Sequence, residues 1–265
     1  AAAGVTQIAV ATRERAAAEQ FASKLGAGVQ AVDASKIADA ADLVFLAVPD
    51  AAVRDTCDVL PLTATHAVVH LSGVLGLDCL APAAERGAMV GALHPLQAFP
   101  ADSPEARFRG IYTGIEASDP ALTARLEAIA RALGATPFSL AGVDRAAYHA
   151  AAVLTSNYVV ALHAAAAEVW RLAGLPPSAA RAALAPLTLG AAQAISEREL
   201  PQALTGPIAR GDVRSVESHL EVLRADSERA ALYRALAREL LRLPLGLSTE
   251  AQHALAALVE EPTSS

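Results

Sequence analysis

A chain of 265 residues can bury a sizeable core and is expected to form two domains. Its net charge of −7, with the basic residues scattered, argues against nucleic-acid binding, and no basic stretch suits a lipid surface. Hydrophobic residues make up 54% but aromatics only 4%, and much of the remainder is Ala, so a soluble, helix-rich protein packed by small side chains is expected.

Cys57 and Cys79 are too few for a disulfide framework and lack metal-ligand spacing. A reducing cytoplasm is the expected location, and no metal site is expected. No secretory signal is read, and the one methionine is Met89, so the chain as given does not begin at a translation start.

In chain order, AAAGV (1–5) reads as the tail of a helix stopped at Gly4. Thr6 to Thr12 is a short apolar run fit for a buried parallel strand. Arg13 to Leu25 is an amphipathic helix stopped at Gly26, Val29 to Asp33 a small strand and Ala34 to Ala41 a short helix. Asp42 to Asp50, DLVFLAVPD, is the clearest strand. Ala51 to Leu60 reads as a helix, His66 to Ser72 as a buried strand, Leu77 to Arg86 as a helix and Met89 to Leu93 as a strand. Gly110 to Ala117 is a strand, Pro120 to Leu133 a helix capped by Asp119, and Thr136 to Leu140 the last strand.

Such alternation predicts an α/β fold with a doubly wound, mostly parallel sheet. In these sheets ligands sit beyond the carboxyl ends of the strands. That rule selects Thr12-Arg13, Val48-Pro49-Asp50, Ser72-Gly73 and His94-Pro95.

Val143 to Gly174 reads as one long helix, with Asp144 in its first turn and Gly174, Pro176 and Pro177 ending it. It is apolar almost all round and is expected to be buried on several sides. His149, Ser156 and Asn157 share one of its faces. That face is a buried polar network, a contact to another helix, or the wall of a cleft between two domains. A membrane span is disfavoured because His149, Asn157, His163 and Glu168 would sit at membrane depth. After this spine only helices are read: Ser178 to Ile195, Val213 to Ala225, Ser227 to Arg242 and one from Thr249. The Gly- and Pro-rich loop Leu204 to Asp212 offers Asp212 as an N-cap, and Glu261 to Ser265 is expected to be disordered.

A dinucleotide-binding fold should open with a strand and a G-x-G-x-x-G turn, and this chain has none. Its first strand reads as the second of such a fold. Either the sequence starts downstream of the true start, the reading preferred here, or the domain has lost the strand and the pyrophosphate cradle with it.

DLVFLAVPD, HLSG, GALHPLQAF, RAAYHAAAVLTSNYVVAL and ALTGPIARGD, in this order, resemble the bacterial Rossmann-like proteins that carry a C-terminal helical domain of unknown function. Those proteins are related to deazaflavin-dependent NADP reductase, ketopantoate reductase, pyrroline-carboxylate reductase and prephenate dehydrogenase. The resemblance implies a Rossmann-like domain over residues 1–141 and a helical dimerisation and substrate domain over residues 142–265. It implies NADP rather than NAD, since Arg13 stands where NADP users place an Arg against the 2′-phosphate and NAD users an Asp or Glu. A solvated Arg at a helix start remains the alternative. Thr12, Val48, Pro49, Ser72 and Gly73 would line the cofactor groove. His94-Pro95 resembles the His-Pro of prephenate dehydrogenase, with Ser72 orienting the imidazole for proton transfer; a structural His94 is the alternative.

The Lys that some relatives carry four residues before the helix Asn is Val153 here, so His94, His149 or water must move the proton. The expected function is a cytoplasmic, homodimeric NADP-dependent oxidoreductase. It would pass a hydride between nicotinamide and a small carbonyl, imine or hydroxyl substrate, held by Asn157 and Ser156 between the sheet edge and the spine. The alternative is a non-catalytic, dimeric Rossmann-like binding or scaffold protein.

Overall fold

The computed structural model describes residues 7–99 and 108–260. The helix tail read at AAAGV and the disorder read at Glu261 to Ser265 lie outside the described residues. The first unit, Ala1–Ser156, opens with β1 (Ile8–Val10), α1 (Arg15–Leu25) and β2 (Val29–Ala31). Next come α2 (Ile37–Ala40), β3 (Leu43–Leu46), α3 (Val53–Val59), β4 (Ala67–His70), α4 (Ala81–Glu85) and β5 (Met89–Pro95). It closes with β6 (Tyr112–Ala117), α5 (Pro120–Ala132), β7 (Thr136–Ser139) and α6 (Arg145–Thr155).

The five-stranded sheet runs β3-β4-β5-β6-β7, parallel except between β5 and β6. Strand alternation sends successive side chains to opposite faces, and both faces are covered. Val44, Leu46, Val68 and Val90 pack against Val53, Cys57, Leu80 and Ala83. Ala67, Val69, Leu93 and Ile115 pack against Leu122, Leu126 and Ala130 of α5. Asp119 caps α5 as read, its carboxylate accepting from the Ala121 amide at 2.7 Å.

β1 and β2 form a separate parallel pair. The expectation of a buried strand at Thr6 to Thr12 is corrected: β1 is short, and Ile8 is 40% exposed. Among the described residues no strand pairs with the outer edge of β1 or of β3, so neither edge has its ladder completed. Ala9 and Ala11 nevertheless pack against the same core as Val44 and Leu46.

The spine is not one helix. It breaks at Ser156, whose backbone (φ −122, ψ −75) is non-helical, and α7 (Asn157–Leu172) begins afresh. Thr155 donates its hydroxyl back to the carbonyls of Ala151 and Ala152, both at 3.2 Å, and the Ser156 amide reaches only the Val153 carbonyl. Such back-bonding competes with the helical ladder and bends helices. The two compact units divide here, at 156/157, which leaves α6 with the sheet; the sequence reading divides the chain at 141/142.

The second unit holds α7, α8 (Pro177–Glu197), α9 (Leu200–Ala203), α10 (Val213–Leu223), α11 (Ser227–Leu241) and α12 (Thr249–Val259). Ile208, Val216, Leu220, Ala237, Leu255 and Val259 form its core. Asp212 caps α10, accepting from the Ser215 amide at 3.1 Å. Burial of the spine is also corrected. No residue of α7 is buried, and Tyr158, Val160, Leu172, Leu187, Leu189 and Ile195 of α7 and α8 face outward. By length and composition alone, Arg145–Leu172 is long and apolar enough to cross a membrane.

Candidate functional site

His70 ends β4 and His94 lies one residue from the end of β5, and alternation puts both on the sheet face of Val68 and Val90. On α6, Arg145, Tyr148 and His149 are spaced i, i+3, i+4, which gathers them on one helical face. Asp144 fixes the start of that helix by accepting from the Ala146 and Ala147 amides, both at 3.0 Å.

His94 Nδ1 and the Tyr148 hydroxyl are 2.7 Å apart, with their rings edge-on at 5.5 Å and 87°. The Phe138 ring lies 6.0 Å from that of Tyr148, and the His149 ring 6.5 Å from that of His94. Gly73 closes the floor. A Cβ there would lie 2.8 Å from both Cε1 and Nε2 of His94 and 2.9 Å from Cδ2 of His149, so only a glycine lets the two imidazoles come this near. Among the described residues, His94 Nε2 has no protein partner and is not sealed from solvent.

Burial pushes the His94 imidazole down to about 4, helped by the positive fields of His149 and Arg145 and opposed by Asp50. At neutral pH the ring is therefore neutral. Burial likewise lowers the fully buried His70, whose Nδ1 accepts from the Ser72 amide at 3.2 Å. Arg145 is buried and paired with Glu116, while its Nε and Nη1 have no partner among the described residues. Burial pushes the Tyr148 phenol up, and the Arg145 charge pulls the other way.

The structure thus brings Gly73, His94 and His149 together. Ser72 is close in sequence but has another role: its hydroxyl donates to Asp50 at 2.8 Å and accepts from the amides of Val74 and Leu75. The expectation that Ser72 orients His94 is corrected; a hydroxyl already engaged three ways is not free to do so, and Tyr148 holds the ring instead. Val48 and Pro49 lead from β3 into the turn that carries Asp50. Arg13, beside Thr12 after β1, is exposed and has no ion-pair partner among the described residues, whereas Arg15 is tied to Asp33 and Glu19. Ser156 and Asn157 are exposed at the helix break and no longer share a helix face with His149. Tyr148, His70, Arg145 and Glu116 were not singled out as site residues from sequence, whereas Asp50 was selected by its place at a strand end. The i, i+3, i+4 spacing of Arg145, Tyr148 and His149 was the signal that could have found the α6 contribution. Among the described residues no group of three or more His, Cys, Asp or Glu is arranged to hold a metal ion.

Residues 2–95 match a Rossmann-like domain, and residues 111–240 match a domain of unknown function, DUF2520. This is a Rossmann-like protein with a C-terminal helical domain of unknown function. The His94–Tyr148 contact joins the two matched regions of this Rossmann-like chain. A provisionally assigned NADP oxidoreductase from Bacteroides fragilis is similar in structure at 26% identity and TM-score 0.68, covering 88% of this chain and 87% of that one. A protein from Thermotoga maritima is similar at 24% identity and TM-score 0.73, covering 90% and 91%. A reductive aminase from Aspergillus terreus, solved with NADPH and ethyl levulinate, shares the fold at 20% identity and TM-score 0.55, covering 96% and 84%. No curated protein matches the chain.

Proposed function

We propose that this protein is an NADP-dependent oxidoreductase that moves a hydride between nicotinamide and a small carbonyl, imine or hydroxyl compound. The observation that carries this reading is His94 at the carboxyl end of β5, its Nδ1 held by Tyr148 and its Nε2 left open over Gly73. The Bacteroides fragilis relative, named as an NADP oxidoreductase, supports the reaction class, and the Aspergillus terreus enzyme binds NADPH on the same fold.

Arg13 fits the outer end of that cofactor, because a free, permanently charged guanidinium suits a 2′-phosphate dianion. No Asp or Glu stands in its place to favour NAD. Thr12, Val48, Pro49 and Gly73 would line the groove, while the pyrophosphate needs a glycine-rich turn that the described residues do not supply. When bound, the cofactor supplies or accepts hydride. The protein's own part is the proton: His94 gives or takes it at the substrate heteroatom, with His149 beside it. Ser156 and Asn157 are assigned to the substrate or the carboxamide. The outward apolar residues of α7 and α8 are read as the face of a homodimer rather than a membrane span, and the cytoplasm as its location.

A second reading is a non-catalytic dimeric Rossmann-like binding or scaffold protein, in which the outer edges of β1 and β3, which pair with no strand among the described residues, would meet a partner. Fluorescence titration with NADPH separates the two. It is run on this chain and on a version carrying any coding sequence that precedes Ala1. Micromolar or tighter binding by either is expected. If neither binds NADPH or NADH, the oxidoreductase reading falls and the scaffold reading replaces it.

A further inference from the structure

We infer that Tyr148 fixes His94 in the tautomer that carries its proton on Nε2 and is itself the reserve of that proton, so that the site is built to take a carbonyl oxygen. The inference rests on the oxidoreductase reading and narrows it. Three observations carry it.

The first is the identity of the partner. Histidines that work as bases are commonly oriented by a carboxylate, which accepts from Nδ1 and stabilises the imidazolium. The group on Nδ1 here is a phenol at 2.7 Å. A phenol is a better donor than a neutral imidazole N–H, and an imidazole nitrogen is a better acceptor than a phenol oxygen. The bond therefore runs from Tyr148 Oη–H to Nδ1, which leaves the ring proton on Nε2.

The second is where Nε2 lies. It sits over Gly73, close enough that a Cβ there would be 2.8 Å away, and has no protein partner among the described residues. A donor without a protein partner selects an acceptor. A carbonyl oxygen qualifies. An iminium N–H would set donor against donor, and a hydroxyl substrate needs a lone pair on Nε2 to take its proton.

The third is the charge around the pair. Arg145 on α6, His149 on α6, His70 on β4, Asp50 after β3 and Glu116 on β6 are the charged and titratable groups that surround it. Burial and the positive fields of His149 and Arg145 keep His94 uncharged; burial also holds the Tyr148 phenol protonated at rest, and the Arg145 charge offsets part of that. In the reducing direction a bound nicotinamide would supply the hydride pair to the carbonyl carbon, leaving the C=O π pair on oxygen. That oxygen takes the Nε2 proton, and Nδ1 takes the Tyr148 hydroxyl proton. The products are an alcohol, a neutral His94 protonated on Nδ1, and a Tyr148 phenolate. The phenolate then takes back the Nδ1 proton while a water proton goes to Nε2, which restores the starting tautomer. His94 carries no net charge at any point, which suits a buried ring.

The test needs neither cofactor nor substrate. The full chain is labelled with ¹⁵N-histidine, and long-range ¹H–¹⁵N spectra are recorded at neutral pH, with His94→Gln identifying the His94 signals among those of the seven histidines. The expected spectrum has a pyridine-like Nδ1 and a pyrrole-like Nε2. Tyr148→Phe keeps the ring and its contact with Phe138 but removes the hydroxyl, so the His94 signals should relax toward a mixture of tautomers. Replacing tyrosine by 3-fluorotyrosine gives a more acidic phenol and should draw the Nδ1 signal further from its free value, a readout that stands even if the Phe variant fails to fold. A wild-type ring protonated on Nδ1, or His94 signals that ignore both changes, overturns the inference. Failure of NADPH to bind, with the expected tautomer in place, would sink the oxidoreductase reading instead.

Discussion

His94 and Tyr148 meet at 2.7 Å with their rings 5.5 Å apart and 87° between planes; His219 and Tyr233 meet at 2.9 Å, 5.8 Å and 79°. The geometry is nearly the same, yet the surroundings differ. The first pair spans 54 residues and ties a strand end to α6, whereas the second spans 14 and joins α10 to α11. His94 is half-buried over a glycine floor with a buried Arg145–Glu116 ion pair nearby, while His219 is exposed. A histidine–tyrosine contact is thus not itself a site. What sets the first apart is desolvation of the imidazole and an open Nε2 beside charge that the protein has already buried.

The largest effect should come from that buried charge. Arg145→Met leaves Glu116, 25% exposed, without its partner, and loss of one member of a buried pair costs about 3 kcal/mol or more. A urea melt should show it. Equal stability of the variant would mean that the ion pair is not what sets the sheet-side histidine apart. Gly73→Ala comes next. Its Cβ would press on both imidazoles, and such overpacking costs about 1–3 kcal/mol. Gly190→Ala in the helical unit should do the opposite: nothing lies within 4 Å of its added methyl, so about 0.5–1 kcal/mol of helix stability is gained.

The acid limb sharpens the contrast further. His94 sits at about 4 in the folded chain against 6.5 when free. Between those values the unfolded chain binds a proton that the folded one does not, so stability is full above 6.5 and falls as pH drops toward 4. His94→Gln should flatten that slope in melting temperature. The lowered, buried His70 keeps part of it. His219→Gln is the comparison, and equal flattening there would break the distinction between the pairs.

The strands of the larger sheet were legible because apolar runs bounded by turn residues leave few alternatives, as in DLVFLAVPD and HAVVHLS. Capping residues were equally plain at Asp119 and Asp212, whereas Asp144, read as lying in the first turn, is itself the N-cap. The break at Ser156 was not, since it depends on where the Thr155 hydroxyl turns rather than on any helix-breaking residue. The strand-end rule found His94 and Gly73, because topology alone places them. It could not say what touches them. Ser72 was the nearer hydroxyl in sequence, but Asp50 engages it, and the phenol that meets His94 arrives from a helix beginning 51 residues on, at Arg145. The burial expected for the spine failed for a different reason: an apolar helix must be covered by something, and a single chain need not provide it.

The smallest expected effect is the most discriminating. Tyr148→Phe and Tyr233→Phe delete the same atom from similar contacts. Where the imidazole is half-buried, loss of its partner should cost about 0.5–1.5 kcal/mol. Where the histidine is exposed, water takes the place of the hydroxyl, and the change should stay within about 0.5 kcal/mol. Parallel thermal melts would read the difference. If Tyr233→Phe proved as costly as Tyr148→Phe, the α10–α11 contact would contribute as much as the one at the sheet edge, and desolvation would no longer be what distinguishes His94. If Tyr148→Phe were the costlier, the hydroxyl would stabilise the fold while holding one imidazole by one nitrogen, and desolvation of His94 would stand as the difference between the two pairs.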